Sequence, residues 1–102
     1  MERHIFLIGM PGSGKSALGR RVALKLQTPY LDTDAYLTEI TGMNTAQIYE
    51  TYGETAFRDG ETRLLCGLIN ATPGIISTGG GTALRPENRQ LMRTHGFVVL
   101  ID

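Results

Sequence analysis

Cysteine occurs once in this 102-residue chain, as Cys66, so no intrachain disulfide can form and a reducing compartment is compatible with the sequence. Cys66 sits in Leu64-Leu65-Cys66-Gly67-Leu68-Ile69, where a small buried apolar residue is expected. Neither sign of charge is in excess. Ten Lys and Arg stand against ten Asp and Glu, which argues against a general affinity for nucleic acid or membrane surfaces. Long hydrophobic runs are also missing: the N-terminal one spans only Ile5 to Ile8, far short of a signal peptide or membrane span. A cytoplasmic protein is the expectation. Repeats, low-complexity tracts and linkers are absent, and a hydrophobic content of 41% over this length suits one soluble domain covering residues 1–102.

The most informative stretch is Gly9-Met10-Pro11-Gly12-Ser13-Gly14-Lys15-Ser16, which fills every fixed position of G-x-x-x-x-G-K-[ST]. It follows the apolar run His4-Ile5-Phe6-Leu7-Ile8 and opens into a helical pattern, the context a phosphate-binding P-loop needs. Glycines let the backbone curl so that several N–H groups converge on one phosphate chain, and the helix N-terminus adds partial positive charge. Lys15 brings a full charge to the β- and γ-phosphates, and the Ser16 hydroxyl is placed to ligate Mg²⁺. A glycine-rich turn alone would carry no such meaning. The complete set of fixed positions in this context points to ATP or GTP.

Beyond the loop, helical and extended patterns alternate. Lys15 to Gln27 carries Leu18, Val22 and Leu26 at four-residue spacing, which predicts a helix with one buried stripe. Pro29-Tyr30-Leu31 predicts a short strand ending at Asp32, and Asp34 to Thr41 a helix stopped by Gly42. Asn44 or Thr45 can cap a short helix through Tyr52, and Glu54 to Ala71 predicts the longest helix, with Phe57, Leu64, Leu65 and Leu68 on or near one face. Ile75 to Thr78 predicts a third strand. Pro86 suits the first turn of a helix reaching His95, and Phe97 to Ile101 a fourth strand, apolar on both faces. This alternation implies an α/β fold with a parallel sheet and ligands at the carboxyl ends of its strands.

That rule gathers the remaining chemistry. The P-loop follows the first strand, Asp32-Thr33-Asp34 the second, and Gly79-Gly80-Gly81 the third, so all three should face one crevice. Two carboxylates beside a Mg-nucleotide can divide the labour, one holding water on the metal and the other accepting a proton from an attacking hydroxyl. An isolated D-x-D would be a solvated turn or helix cap, but this one ends a strand beside a P-loop. Three glycines exceed what a turn needs and suit backbone N–H groups exposed to a ligand. Arg58 has two readings. It can pair with Glu54 on a helix surface at i,i+4, or it can be held by Glu61 and present its fork to a substrate carboxylate. Spacing does not choose between them. His4 and His95 lie at element ends, where a metal site is not expected, and Arg20 and Arg21 suit a solvated helix face. Arg85 follows the glycine run closely enough to be considered for phosphate contact, although a surface role is preferred.

Taken in order, G-M-P-G-S-G-K-S, L-D-T-D, G-E-x-x-F-R-x-x-E and S-T-G-G-G closely resemble shikimate kinase, from Ile5 to Leu100. Only the P-loop is diagnostic alone; the ordered set is highly specific. The resemblance implies a three-layer α/β/α P-loop fold and transfer of the γ-phosphoryl group of ATP to the 3-hydroxyl of shikimate, a step of aromatic amino-acid biosynthesis. By matching position, it implies that Gly12, Ser13, Gly14, Lys15, Ser16 and Ala17 hold the nucleotide. Ser16 and Asp32 would serve Mg²⁺, and Asp34 would bind the shikimate hydroxyls and act as base, with Lys15 on the phosphates. Arg58 would grip the shikimate carboxylate, oriented by Glu61, with Phe57 as a wall and Gly79, Gly80 and Gly81 lining the site. The family resemblance also implies a fifth strand, a lid with an arginine, a later carboxylate-binding arginine and a closing helix.

None of these four features follows in the sequence. A truncated chain is therefore expected, with its fourth strand as an open edge through which it could self-associate, whereas the full-length family is expected to be monomeric. Weak nucleotide binding and little turnover are expected of it, since an arginine over the transferring phosphate is worth ~10³-fold or more. Two alternatives stand: a P-loop kinase of another small hydroxy acid such as gluconate, and a non-catalytic nucleotide-binding module.

Overall fold

The structure, a computed structural model, describes residues 3–9, 14–71 and 73–101. The elements run β1 (His4–Ile8), α1 (Lys15–Leu26), β2 (Tyr30–Asp32), α2 (Thr33–Thr41), α3 (Thr45–Tyr52), α4 (Glu54–Ile69), β3 (Ile75–Ser77), a 3₁₀ turn (Thr82–Leu84), α5 (Pro86–His95) and β4 (Gly96–Leu100). The four strands form one parallel sheet in the order β2-β3-β1-β4. Local chemistry marks several boundaries. The Asp32 side chain accepts from Ala35 N at 3.1 Å and caps α2. Asn44 and Gln47 form a reciprocal capping box on α3, an arrangement worth about 1 kcal/mol. Pro86 opens α5, and α2 ends at Gly42.

Alternation along the strands divides the core between the two faces of the sheet. Phe6 and Ile76 face Leu65 of α4 and Met92 of α5, whereas Leu7 and Ile75 face Ala23 of α1. The result is the expected three-layer α/β/α architecture. Two packing expectations fail. On α1 the buried residues are Gly19 and Ala23, while Leu18 is 41% and Leu26 53% exposed. The reason is close approach: a Cβ on Gly19 would lie 2.5 Å from Tyr30 Cε1, so small residues make the seam and the leucines flank it. Cys66 is exposed, not buried. The inward stripe of α4 is Phe57, Glu61 and Leu65, at four-residue spacing, and Cys66 stands one position round the helix from it. The Thr82–Leu84 turn was not anticipated by periodicity. Strand β4 lies at the sheet edge, with Phe97, Val98, Val99 and Leu100 all exposed. Among the described residues, no helix is long and apolar enough to cross a membrane.

Candidate active site

The carboxyl ends of β1, β2 and β3 bring three segments together, and backbone pairing explains why. Asp32 pairs in register with Ser77, and Leu7 also pairs with Ser77, so the residues that follow these strands emerge side by side. Gly12 and Ser13 lie outside the described residues. Gly14 precedes α1, Lys15 and Ser16 are half-buried in its first turn, and Ala17 is exposed beside them. The Ser16 hydroxyl donates to Asp32 Oδ2 at 2.9 Å, which ties the end of the P-loop to the end of β2. Between the two aspartates, Thr33 turns inward and its hydroxyl accepts from Gly79 N at 3.1 Å, fixing the start of the glycine run. Asp34 lies so close to that run that a Cβ on Gly79 would sit 2.6 Å from Asp34 Oδ1.

Across the crevice, α4 supplies the positive charge. Arg58 Nη1 donates to Glu61 Oε1 at 2.7 Å, and Glu61 is 4% exposed. Arg58 thus pairs with Glu61 and not with the exposed Glu54. Its guanidinium lies over Gly81, where any Cβ would collide with it, and 5.3 Å from the Phe57 ring centroid. Phe57 itself is buried against Tyr49 of α3, so its ring backs the arginine. Gly80 is exposed at the turn between Gly79 and Gly81. Arg85 bonds to Asp59 at 2.9 Å and bridges α5 to α4, which accounts for its charge within the fold.

Electrostatics separate the acidic groups. Burial raises the Asp34 carboxyl above its ordinary value, the negative charges of Asp32 and Glu61 raise it further, and Lys15 and Arg58 pull it down without cancelling the rise. A carboxylate that takes up a proton more readily than usual, beside two cations, suits proton abstraction. Burial works against the Arg58 charge, but the Glu61 hydrogen bond and charge, followed by Tyr49, outweigh it and raise the guanidinium above its ordinary value. Among the described residues, no group of three or more His, Cys, Asp or Glu could hold a metal. The Ser16–Asp32 oxygen pair could share a cation with ligand oxygens.

Three residues of the site escaped the sequence reading. Thr33 stands between the two aspartates and opens α2, buried against Gly79. Thr82 donates its hydroxyl to Glu61 Oε2 at 2.9 Å, and Asn88, fully buried, donates from Nδ2 to Thr82 O at 2.9 Å. The place of Thr82 directly after the glycine run was a usable signal; for Asn88, 27 residues after Glu61 on another helix, there was none.

Comparison with known proteins agrees with this fold. The shikimate kinase family model matches residues 11–102. A shikimate kinase of Rhodopseudomonas palustris is 44% identical over 101 residues, covering 99% of this chain and 50% of that protein. One from Haemophilus influenzae is 38% identical, covering 99% of this chain and 56% of its own length. Among solved structures, the shikimate kinase from Acinetobacter baumannii in complex with shikimate superposes with a TM-score of 0.92 at 34% identity, over 97% of this chain and 55% of that one. The Aquifex aeolicus shikimate kinase gives a TM-score of 0.91 at 36% identity, over 97% of this chain and 59% of that one. The chain spans about half the length of the curated relatives it matches.

Proposed function

The chain belongs to the shikimate kinase family, and on that premise we propose that it is the P-loop kinase portion, residues 1–102, of an enzyme converting shikimate and ATP to shikimate 3-phosphate and ADP. The observation that carries the reading is the meeting of Asp34 with Gly79 and of Arg58 with Gly81 in one crevice that Lys15 also faces. Arg58 grips the shikimate carboxylate through its fork and so orients the ring. Asp34 holds the hydroxyls and takes the proton from the attacking 3-hydroxyl. As that oxygen bonds to the γ-phosphorus, the bond to the β–γ bridging oxygen breaks and ADP leaves. Lys15 and the loop amides of Gly12, Ser13, Gly14, Ser16 and Ala17 hold the phosphates in line, and the backbone of Gly79, Gly80 and Gly81 closes the crevice around them.

The Ser16–Asp32 pair fits Mg²⁺, since a hydroxyl and a carboxylate 2.9 Å apart are hard oxygen ligands of the kind Mg²⁺ shares with phosphates. When bound, Mg²⁺ draws charge from the phosphate oxygens. Ser16 would ligate it directly, and Asp32, with Oδ1 committed to Ala35 N, would support it through Oδ2. The reading includes a cytoplasmic location, where ATP is available, and a monomeric enzyme.

The test is shikimate-dependent ADP release by the full-length enzyme that carries this portion and by its Arg58→Ala variant. Release that requires shikimate, with kcat/KM falling about 10²-fold or more in the variant, is expected. Release supported by gluconate instead of shikimate, or unchanged by the substitution, would overturn the reading.

A further inference from the structure

The Glu61 carboxylate is shared in an unusual way. Arg58 reaches it through a single hydrogen bond, Nη1 to Oε1 at 2.7 Å, although an arginine and a carboxylate readily form two parallel bonds. The second oxygen, Oε2, is taken by the Thr82 hydroxyl at 2.9 Å. Thr82 is itself fixed. Its carbonyl accepts from Asn88 Nδ2 at 2.9 Å, and Asn88 Oδ1 accepts from the Thr62 hydroxyl at 2.8 Å, so the buried amide is satisfied at both ends. The turn that carries Thr82 is thereby tied to α4 and α5 immediately after the glycine run.

The geometry points to Thr82 as a positioning residue for the substrate grip: by occupying Glu61 Oε2, its hydroxyl keeps the Arg58–Glu61 pair end-on, through one hydrogen bond, and leaves guanidinium N–H groups beyond those facing Glu61 and Tyr49 for a substrate carboxylate. Without that hydroxyl, Oε2 is a buried acceptor with no donor, and the nearest remedy is a second bond from Arg58. The fork would then close on Glu61. A substrate carboxylate would find one donor fewer, on a guanidinium turned toward Glu61. Phosphate binding, on the opposite wall, would not change. The role rests on the proposed grip of Arg58 on shikimate.

The experiment compares Thr82→Val, Thr82→Ser and Arg58→Ala by calorimetric titration with shikimate and, separately, with ATP. It also records the Arg58 Nε–H resonance in the unliganded protein, with Thr82→Ala in place of the valine variant if that one fails to fold. Expected are about tenfold weaker shikimate binding in Thr82→Val, unchanged ATP binding, recovery in Thr82→Ser, and a shifted Arg58 resonance in Thr82→Val alone. Shikimate affinity in Thr82→Val equal to that of the native chain, with Arg58→Ala weakened, overturns the role of Thr82 and leaves the function intact. A full-length enzyme carrying this chain that binds no shikimate, or an Arg58→Ala variant of it that binds shikimate normally, overturns the function and this role with it. An unmoved Arg58 resonance in Thr82→Val overturns the end-on pairing whatever the substrate.

Discussion

The two walls of the crevice treat their carboxylates in opposite ways. On the α4 wall, Glu61 is buried, accepts one hydrogen bond at each oxygen and faces a permanent cation. On the β2–α2 wall, Asp34 is half-buried, and its proton affinity is raised by burial first and then by its acidic neighbours. The first arrangement holds a charge in place; the second holds one ready to be neutralised. A buried carboxylate with all its partners is scaffold, and one without them is reactive, so burial alone does not assign the role.

The strongest way to break this contrast is Asp34→Asn, which keeps the shape and removes the proposed base. Turnover should fall ~10³-fold, with ATP affinity retained, as single-turnover kinetics and a nucleotide titration would show. A loss of only a fewfold would mean that Asp34 does not take the proton. Next in size is Glu61→Ala. Removing the scaffold carboxylate strands Arg58 and the Thr82 hydroxyl and should cost about 2–3 kcal/mol of stability in urea, somewhat below a fully buried pair because Arg58 keeps contact with water. Unchanged stability would move Glu61 out of the scaffold class.

Gly79→Ala is milder and more specific. Its Cβ would meet Asp34 Oδ1 at 2.6 Å, so the carboxylate must move while the core does not. A drop of about tenfold in kcat with a nearly unchanged urea midpoint is expected, and equal losses in both would point to general disruption. The smallest effect is the stability of Asp34→Asn. Because folding raises the Asp34 pKa, the folded state binds the extra proton, and native stability declines as pH rises from the ordinary aspartate range through the folded value. The asparagine variant should thus be the more stable protein at pH 7, and its advantage should shrink as the pH is lowered through that window. Thermal midpoints of both proteins at several pH values would reveal an advantage of the opposite slope.

What could be read from the sequence follows from how far each interaction reaches along the chain. Helix ends were legible because their determinants are local: Asn44 or Thr45 at the start of α3, where the structure selects Asn44, Gly42 after Thr41, and Pro86 at the start of α5. The meeting of P-loop, aspartates and glycine run was legible because parallel strands deliver their following residues to one edge. The outward placement of Leu18 and Leu26 arises because apolar spacing marks a candidate face, whereas Gly19 and Ala23 decide which face of α1 can come close; Cys66 lies one position round α4 from its inward stripe. The choice between Glu54 and Glu61 as partner of Arg58 needed the inward direction of α4, set by Phe57 and Leu65. The place of Thr82 after the glycine run was a local signal, whereas Asn88 depends on packing between α4, α5 and the turn before α5, which no local pattern encodes.

The most direct test of the division between the walls is a carbon-detected NMR titration of the Asp34 side-chain carboxyl in the unliganded chain. The account predicts a midpoint above 3.8, the ordinary aspartate value, and a further move when Arg58 is replaced by alanine, upward because a neighbouring cation is lost. A midpoint at or below the ordinary value would contradict it, because the Asp34 carboxyl would then not be held ready for a proton.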